Sequence, residues 1–177
     1  APSFTPGSRR TSEQGGRGVQ YLIALGSNRR HHRFGDPRQV LRAALAALEA
    51  RGIAVLRAAP VITSAPIGPS LRRYANSAAL VDTMLAPDDL LGVLKAIERA
   101  FGRTRGGQRW SSRVLDLDIV LWAGGAWSSP GLIVPHVAFR ERDFVLRPAA
   151  QIAPRWRDPL SGCSLRQLAA RLTRDQR

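Results

Sequence analysis

In the stretch Leu115-Asp116-Leu117-Asp118-Ile119-Val120-Leu121, two carboxylates alternate with aliphatic side chains. On a strand, alternation sends Asp116 and Asp118 to one face, with Cα atoms about 6.6 Å apart, and Leu115, Leu117, Ile119 and Leu121 to the other. Two acids on a rigid strand are oxygen ligands for hard cations, and paired Mg²⁺ ions clamp a transferring phosphoryl group. The same pair also describes a solvated polar face, so the neighbourhood has to decide. Immediately upstream lie Arg99, Arg103, Arg105, Arg109 and Arg113, interrupted by Gly102, Gly106, Gly107 and Trp110. Guanidinium forks bind phosphate oxygens bidentately, and a glycine-containing loop can close over a polyphosphate. Without the acids these arginines would equally fit an RNA-binding patch with one stacking aromatic.

The elements that must position these groups follow from periodicity. Residues 1–18 are rich in Pro, Gly, Ser and Arg and read as a flexible basic tail, so one domain is expected over 19–177. Val19 to Leu25 is an apolar run ended by Gly26-Ser27-Asn28, a buried strand and its turn. A basic insertion, Arg29 to Gly35, follows; its His31 and His32 have no third partner in sequence and read as solvated. Asp36 and Pro37 then open a helix with Leu41, Ala44, Leu45 and Leu48 on one face, and Gly52 ends it. Ile53 to Thr63 and Tyr74 to Thr83 read as two paired strands. A second helix starts near Pro87, carries Leu90, Leu94, Ile97 and Phe101 at helical spacing, and stops at Gly102. With Val114 to Trp122 as the last strand, the order is βαββαβ. That is the ferredoxin-like α+β order, a two-layer sandwich with helices on one face and a C-terminal extension from Gly124.

Composition narrows the class. The 177 residues carry 27 Lys+Arg against 13 Asp+Glu, a formal charge of +14 that favours anionic partners. Lys95 is the only lysine; arginine supplies the rest. No apolar run reaches the roughly 20 residues of a membrane span, and the single cysteine, Cys163, cannot form an internal disulfide. A reducing, cytoplasmic setting without membrane contact is the expectation.

The run Arg109-Trp110-Ser111-Ser112-Arg113-Val114-Leu115-Asp116-Leu117-Asp118-Ile119-Val120 closely resembles the signature of hydroxymethyldihydropterin pyrophosphokinases. The same family order appears in Ala24-Leu25-Gly26-Ser27-Asn28, Ala65-Pro66-Ile67-Gly68, Tyr74-Ala75-Asn76, Glu98 with Gly102-Arg103, Pro135-His136 and Arg142-Asp143-Phe144, from about Val19 onward. The resemblance implies transfer of pyrophosphate from ATP to 6-hydroxymethyl-7,8-dihydropterin, with AMP released, by a monofunctional monomer that needs no nucleic acid. Asp116 and Asp118 would ligate two Mg²⁺ ions. Arg103 and Arg113 would act on the transferring phosphates, and Arg105 and Trp110 would belong to a loop closing over the site. Glu98, His136 and Arg142 match positions around ATP. Tyr74 and Phe144 match aromatics that sandwich the pterin, Asn76 matches a side chain that hydrogen-bonds its edge, and Pro66 and Gly68 belong to its loop.

Departures from the family pattern leave those groups in place: Ser111-Ser112 stand for the commoner Gly-Pro, and Lys95 stands where glutamine is frequent. A nucleotidyltransferase would also pair Gly-Ser with Asp-x-Asp, but close together, whereas Ser27 and Asp116 are far apart. An RNA-binding module on the same core would need exposed aromatics on its central strands, and the first strand offers only Tyr21.

Overall fold

A computed structural model describes residues 18–65, 73–102 and 114–175. Five strands form one antiparallel sheet: β1 (Val19–Ser27), β2 (Ala54–Ala58), β3 (Ile62–Ser64), β4 (Tyr74–Thr83) and β5 (Asp116–Trp122). The spatial order is β2-β4-β1-β5, with β3 also paired to β4. The segment 53–63, expected as one strand, is two, because Pro60 lacks the N–H that would continue the ladder.

Helices α1 (Pro37–Glu49) and α2 (Pro87–Ala100) cover one face. Helix α1 starts with a capping box: Gln39 N–H donates to Asp36 Oδ1 at 3.0 Å and Asp36 N–H donates to Gln39 Oε1 at 2.8 Å. Its Val40, Leu41, Ala44 and Leu48 pack with Leu90, Leu94 and Ile97 of α2 on Tyr21, Ile23 and Leu25. The alternate residue of β1, Leu22, faces the other way. It joins Phe139 and the helices α3 (Asp143–Ile152) and α4 (Leu165–Asp175) through Val145, Leu146, Ala149, Leu165 and Leu168. The C-terminal extension is therefore a second helical layer, and the two-layer expectation is corrected to helices on both faces. Both faces of β1 are apolar, so both need cover.

One irregularity matters for the site. Leu22 faces Leu121 while Ile23 faces Ile119, so Val120 is an extra residue in β5. This bulge turns Leu121 into the Leu22 cluster, away from the face of Leu117 and Ile119 on which strict alternation had placed it. The Val120 carbonyl accepts the His136 N–H at 3.0 Å. His136 follows β6 (Trp127–Ser129) and β7 (Leu132–Val134), a separate two-stranded hairpin.

The basic insertion is not simply solvated. His31 stacks on His32 at 4.4 Å and on Phe34 at 4.6 Å, and Phe34 stacks on Phe101 at the end of α2 at 4.6 Å. His31 Nδ1 accepts the N–H groups of Arg33 and Phe34, which fits a turn and not a metal ligand.

The extension is tied down by an ion pair that no sequence motif announces. Asp158, fully buried, accepts a bidentate pair from Arg140 at 2.8 and 2.7 Å, and the Ser161 hydroxyl. Burial alone would raise its carboxyl, but Arg140, Ser161 and the Leu160 N–H outweigh that and hold it at about 2. The native state therefore gains stability from this group above the ordinary aspartate range near 3.9, and loses it as pH falls through about 2. Asp158→Asn, which removes the buried anion and leaves the partly exposed Arg140 guanidinium without its counter-charge, is expected to cost about 1.5 to 3 kcal/mol at pH 7, the scale of hydrogen bonds to a charged group. In denaturant titrations the gap from wild type should narrow as pH drops from about 4 towards 2.

Candidate active site

The register brings the predicted residues into rows across three strands. Asn76 of β4, Gly26 of β1 and Asp116 of β5 are cross-strand neighbours, and Ala78, Ala24 and Asp118 form the next row. Both carboxylates lie on the α3 side of the sheet, as alternation requires. Along β1 that face tapers from Leu22 through Ala24 to Gly26, and along β4 it runs from Leu80 through Ala78 to Asn76. This face is aliphatic core at the Leu22 end and carries only small or amide side chains towards the Gly26 end, where Ala24 and Gly26 are half-buried. Asn76 is buried, and its amide donates to Ser64 Oγ at 2.7 Å, which fixes its orientation. Tyr74 stands on the same face, two residues along. Phe144, in the first turn of α3, packs on the edge of that face, with the Arg142 guanidinium 5.8 Å from its ring centre.

On the other side of the carboxylates, beyond the β5 edge, a cavity of about 350 Å³ opens. Its lining mixes the polar Lys95, Asp118, Ser129 and His136 with the apolar Leu91, Ile133 and Val137. Ile133 and Val137 are more than half exposed, an apolar rim with no core to join. His136 Nδ1 accepts the Ala138 N–H at 3.2 Å, which places the ring proton on Nε2. Burial lowers the imidazole's pKa, with Asp118 pulling the other way, so the ring is neutral at pH 7 and a donor.

Glu98 is fully buried on α2. Its Oε1 accepts the Leu117 N–H on the open edge of β5 at 2.8 Å, and Lys95 Nζ donates to its two oxygens at 3.1 and 3.2 Å. The carboxylate thus fixes the backbone between the two aspartates. Asp118 itself is raised above the ordinary carboxylate range, first by burial and then by the Asp116 charge, against the opposing pull of His136, Lys95 and Arg142. A cation between the two acids would relieve that repulsion. Among the described residues no three His, Cys, Asp or Glu side chains form a metal cluster. Two carboxylates suit Mg²⁺, which completes its shell with water and substrate phosphates.

The sequence profile described as 7,8-dihydro-6-hydroxymethylpterin-pyrophosphokinase matches residues 22–154. The chain belongs to this family. It is a pyrophosphokinase of folate biosynthesis, the ATP-dependent enzyme for which its relatives are named. The 2-amino-4-hydroxy-6-hydroxymethyldihydropteridine pyrophosphokinase of Pseudomonas aeruginosa is 44% identical over 142 residues, covering 77% of this chain and 82% of that one. The enzyme of the same name from Synechocystis is 36% identical over 148 residues, covering 83% of this chain and 73% of that one. A crystal structure of an HPPK-DHPS in complex with substrates has the same fold, with a TM-score of 0.69 at 13% identity over 90% of this chain. The pyrophosphokinase chain covers only 44% of that fused chain.

Of the residues expected at the site, Tyr74, Asn76, Glu98, Asp116, Asp118, His136, Arg142 and Phe144 are described. Pro66, Gly68, Arg103, Arg105, Trp110 and Arg113 lie outside the described residues. The sequence reading did not assign Leu91, Lys95, Ile133 or Val137 to the site. The odd lysine, and two apolar residues flanking Pro135-His136, were the signals available.

The raised carboxyl has a sign that can be measured. Because folded Asp118 binds its proton more tightly than unfolded Asp118 does, metal-free stability is lost as pH rises from the unfolded value near 3.9 through the folded one. Asp118→Asn should therefore raise the thermal midpoint of the metal-free protein at pH 7 while turnover falls by at least about 10²-fold, the scale of losing one transition-state electrostatic contact. Differential scanning fluorimetry with a parallel AMP-release assay checks both halves.

Proposed function

We propose that the pterin lies on the bare floor between Tyr74 and Phe144, that the nucleotide fills the cavity beyond β5, and that pyrophosphate crosses the strand carrying Asp116 and Asp118. One observation supports this reading above the others: the two carboxylates stand between a sheet face with a fixed amide and small neighbours, and a cavity lined by both apolar and cationic or imidazole side chains. A flat heterocycle gains offset stacking between two aromatic rings, and an amide complements an aminopyrimidine edge. An adenine suits the apolar Leu91, Ile133 and Val137, and phosphates suit Lys95 and His136. The hydroxymethyl oxygen attacks the β-phosphorus, and the bond from that phosphorus to the oxygen retained by AMP breaks.

Asp116 and Asp118 would hold the Mg²⁺, two ions on our reading, and the metal would supply charge neutralisation for the phosphates. His136 Nε2–H donates a hydrogen bond to the nucleotide, and Arg142 brings positive charge beside the aromatic wall. Arg103, Arg105, Trp110 and Arg113 are assigned phosphate-facing and covering roles, and Pro66 and Gly68 the pterin loop, on the family match alone. Positioning and electrostatics carry the catalysis on this reading, with the pterin hydroxyl itself as the attacking group.

We read the core order β1-α1-β2/β3-β4-α2-β5 as ferredoxin-like, the chain as a monomeric cytoplasmic enzyme with one domain over 19–177, and residues 1–18 as a basic tail. The described helices include none long and apolar enough to cross a membrane. The RNA-binding alternative is weakened because Tyr21 is fully buried, with its hydroxyl donating to the Leu85 carbonyl at 2.6 Å.

With MgATP and hydroxymethyldihydropterin the nucleotide product is expected to be AMP, in step with a diphosphorylated pterin; ADP in its place would rule out attack at the β-phosphorus. Asn76→Ala should raise KM for the pterin about tenfold and leave KM for ATP unchanged, the size of one lost buried hydrogen-bond partner. Chromatography and initial-rate kinetics measure the two.

A further inference from the structure

The pyrophosphokinase keeps a single lysine among 27 lysine and arginine residues, and that lysine stands inside the cavity beside Asp118. Helix α2 presents Leu91, Lys95 and Glu98 at helical spacing towards β5, so the ammonium follows an aliphatic wall and precedes a buried anion. Glu98 anchors it through both oxygens and is itself anchored by the Leu117 N–H. The cation is thus fixed to the same strand that carries the aspartates, and its charge is felt at Asp118. It remains about a third exposed, on the cavity side.

We propose that Lys95 is a phosphate-binding residue of this enzyme, its ammonium bridging the buried Glu98 carboxylate and a phosphate oxygen of the nucleotide. An ammonium offers three donors around one point charge, so it can serve a carboxylate and a second anion together. A guanidinium is larger and planar, and paired bidentately with Glu98 it would present an edge to the cavity in place of a compact charge. That difference gives a physical reason for one lysine in a chain that otherwise uses arginine throughout. The inference rests on the nucleotide occupying this cavity, so its test must separate the two ideas.

Binding of an α,β-methylene analogue of ATP with Mg²⁺, and of adenosine, is measured by calorimetry on the whole chain as wild type, Lys95→Gln and Ile133→Trp. The expected result for Lys95→Gln is analogue affinity lower by about 10- to 100-fold, the range of one charge-assisted hydrogen bond, with adenosine affinity within about twofold of wild type. Ile133→Trp, which adds bulk to the cavity wall, is expected to weaken both ligands. If Lys95→Gln binds the analogue like wild type while Ile133→Trp weakens both, the cavity holds the nucleotide and the Lys95 proposal is wrong. Equal loss of analogue and adenosine in Lys95→Gln would mean a structural role through Glu98 and would also overturn it. If Ile133→Trp changes neither ligand, the cavity assignment fails and the proposal with it. KM values guard against a folding artefact: Lys95→Gln should raise KM for ATP and leave KM for the pterin unchanged.

Discussion

Two like charges one pleat apart on a half-buried strand are the constraint that the rest of the structure accommodates. The Asp116 charge and burial both act against the ionised Asp118, and neither effect favours folding. Strand β5 is held by its backbone. The β1 ladder holds one edge, Glu98 takes the Leu117 N–H on the other, and His136 N–H takes the carbonyl of bulged Val120. None of these bonds uses an aspartate oxygen. The fold spends backbone hydrogen bonds to keep the carboxylates facing a ligand, so the cost of their repulsion falls on a strand that cannot move away.

The edge position of β5 explains the cavity beside it. An uncovered last strand exposes unpaired backbone groups and invites pairing with another chain. Here the cover is irregular: α2 reaches the edge through Glu98, and the segment leaving β7 reaches it through His136. Irregular cover leaves a gap, and that gap is the cavity of about 350 Å³ whose lining includes Lys95, Asp118 and His136. Protection of the edge and formation of the cavity are one arrangement, in which Glu98 lies buried on α2 and braces the strand instead of lining the cavity.

What could be read from the sequence was what depends on local period. Alternation in 115–119 put both acids on one face, and helical spacing found α1, with its Asp36 cap, and α2. Leu121 was misplaced because the bulge arises from pairing with β1, which the β5 sequence does not encode. The break at Pro60 was visible as a proline inside an apparent strand, and a stricter use of its missing N–H would have divided it. The second helical layer was implied by β1 itself, whose run from Tyr21 to Leu25 leaves no polar face. Lys95 was conspicuous as a lone lysine, yet its place could not be known, because the cavity joins α2 to residues far along the chain. The Arg140–Asp158 pair was equally out of reach: each residue alone is an ordinary surface charge.

The orientation of α3 decides where core ends and site begins. Its C-terminal residue, Ile152, receives Arg57 through its carbonyl at 3.2 Å, and Arg57 lies opposite Leu80, so that end of the helix sits over the thick part of the taper. Its first turn, with Phe144, therefore sits towards Gly26, Asn76 and Asp116. Leu146 and Ala149 pack where the sheet offers Leu22 and Ala78, and the helix loses its apolar partners one turn earlier, where the sheet offers glycine and an amide. Larger side chains at Ala24 or Gly26 would bury more area and stabilise the sheet. They would also fill the floor to which we assign the pterin. The taper of β1 from leucine to glycine is thus a place where packing is given up for a site, and the second helical layer supplies the burial that keeps such a sheet folded.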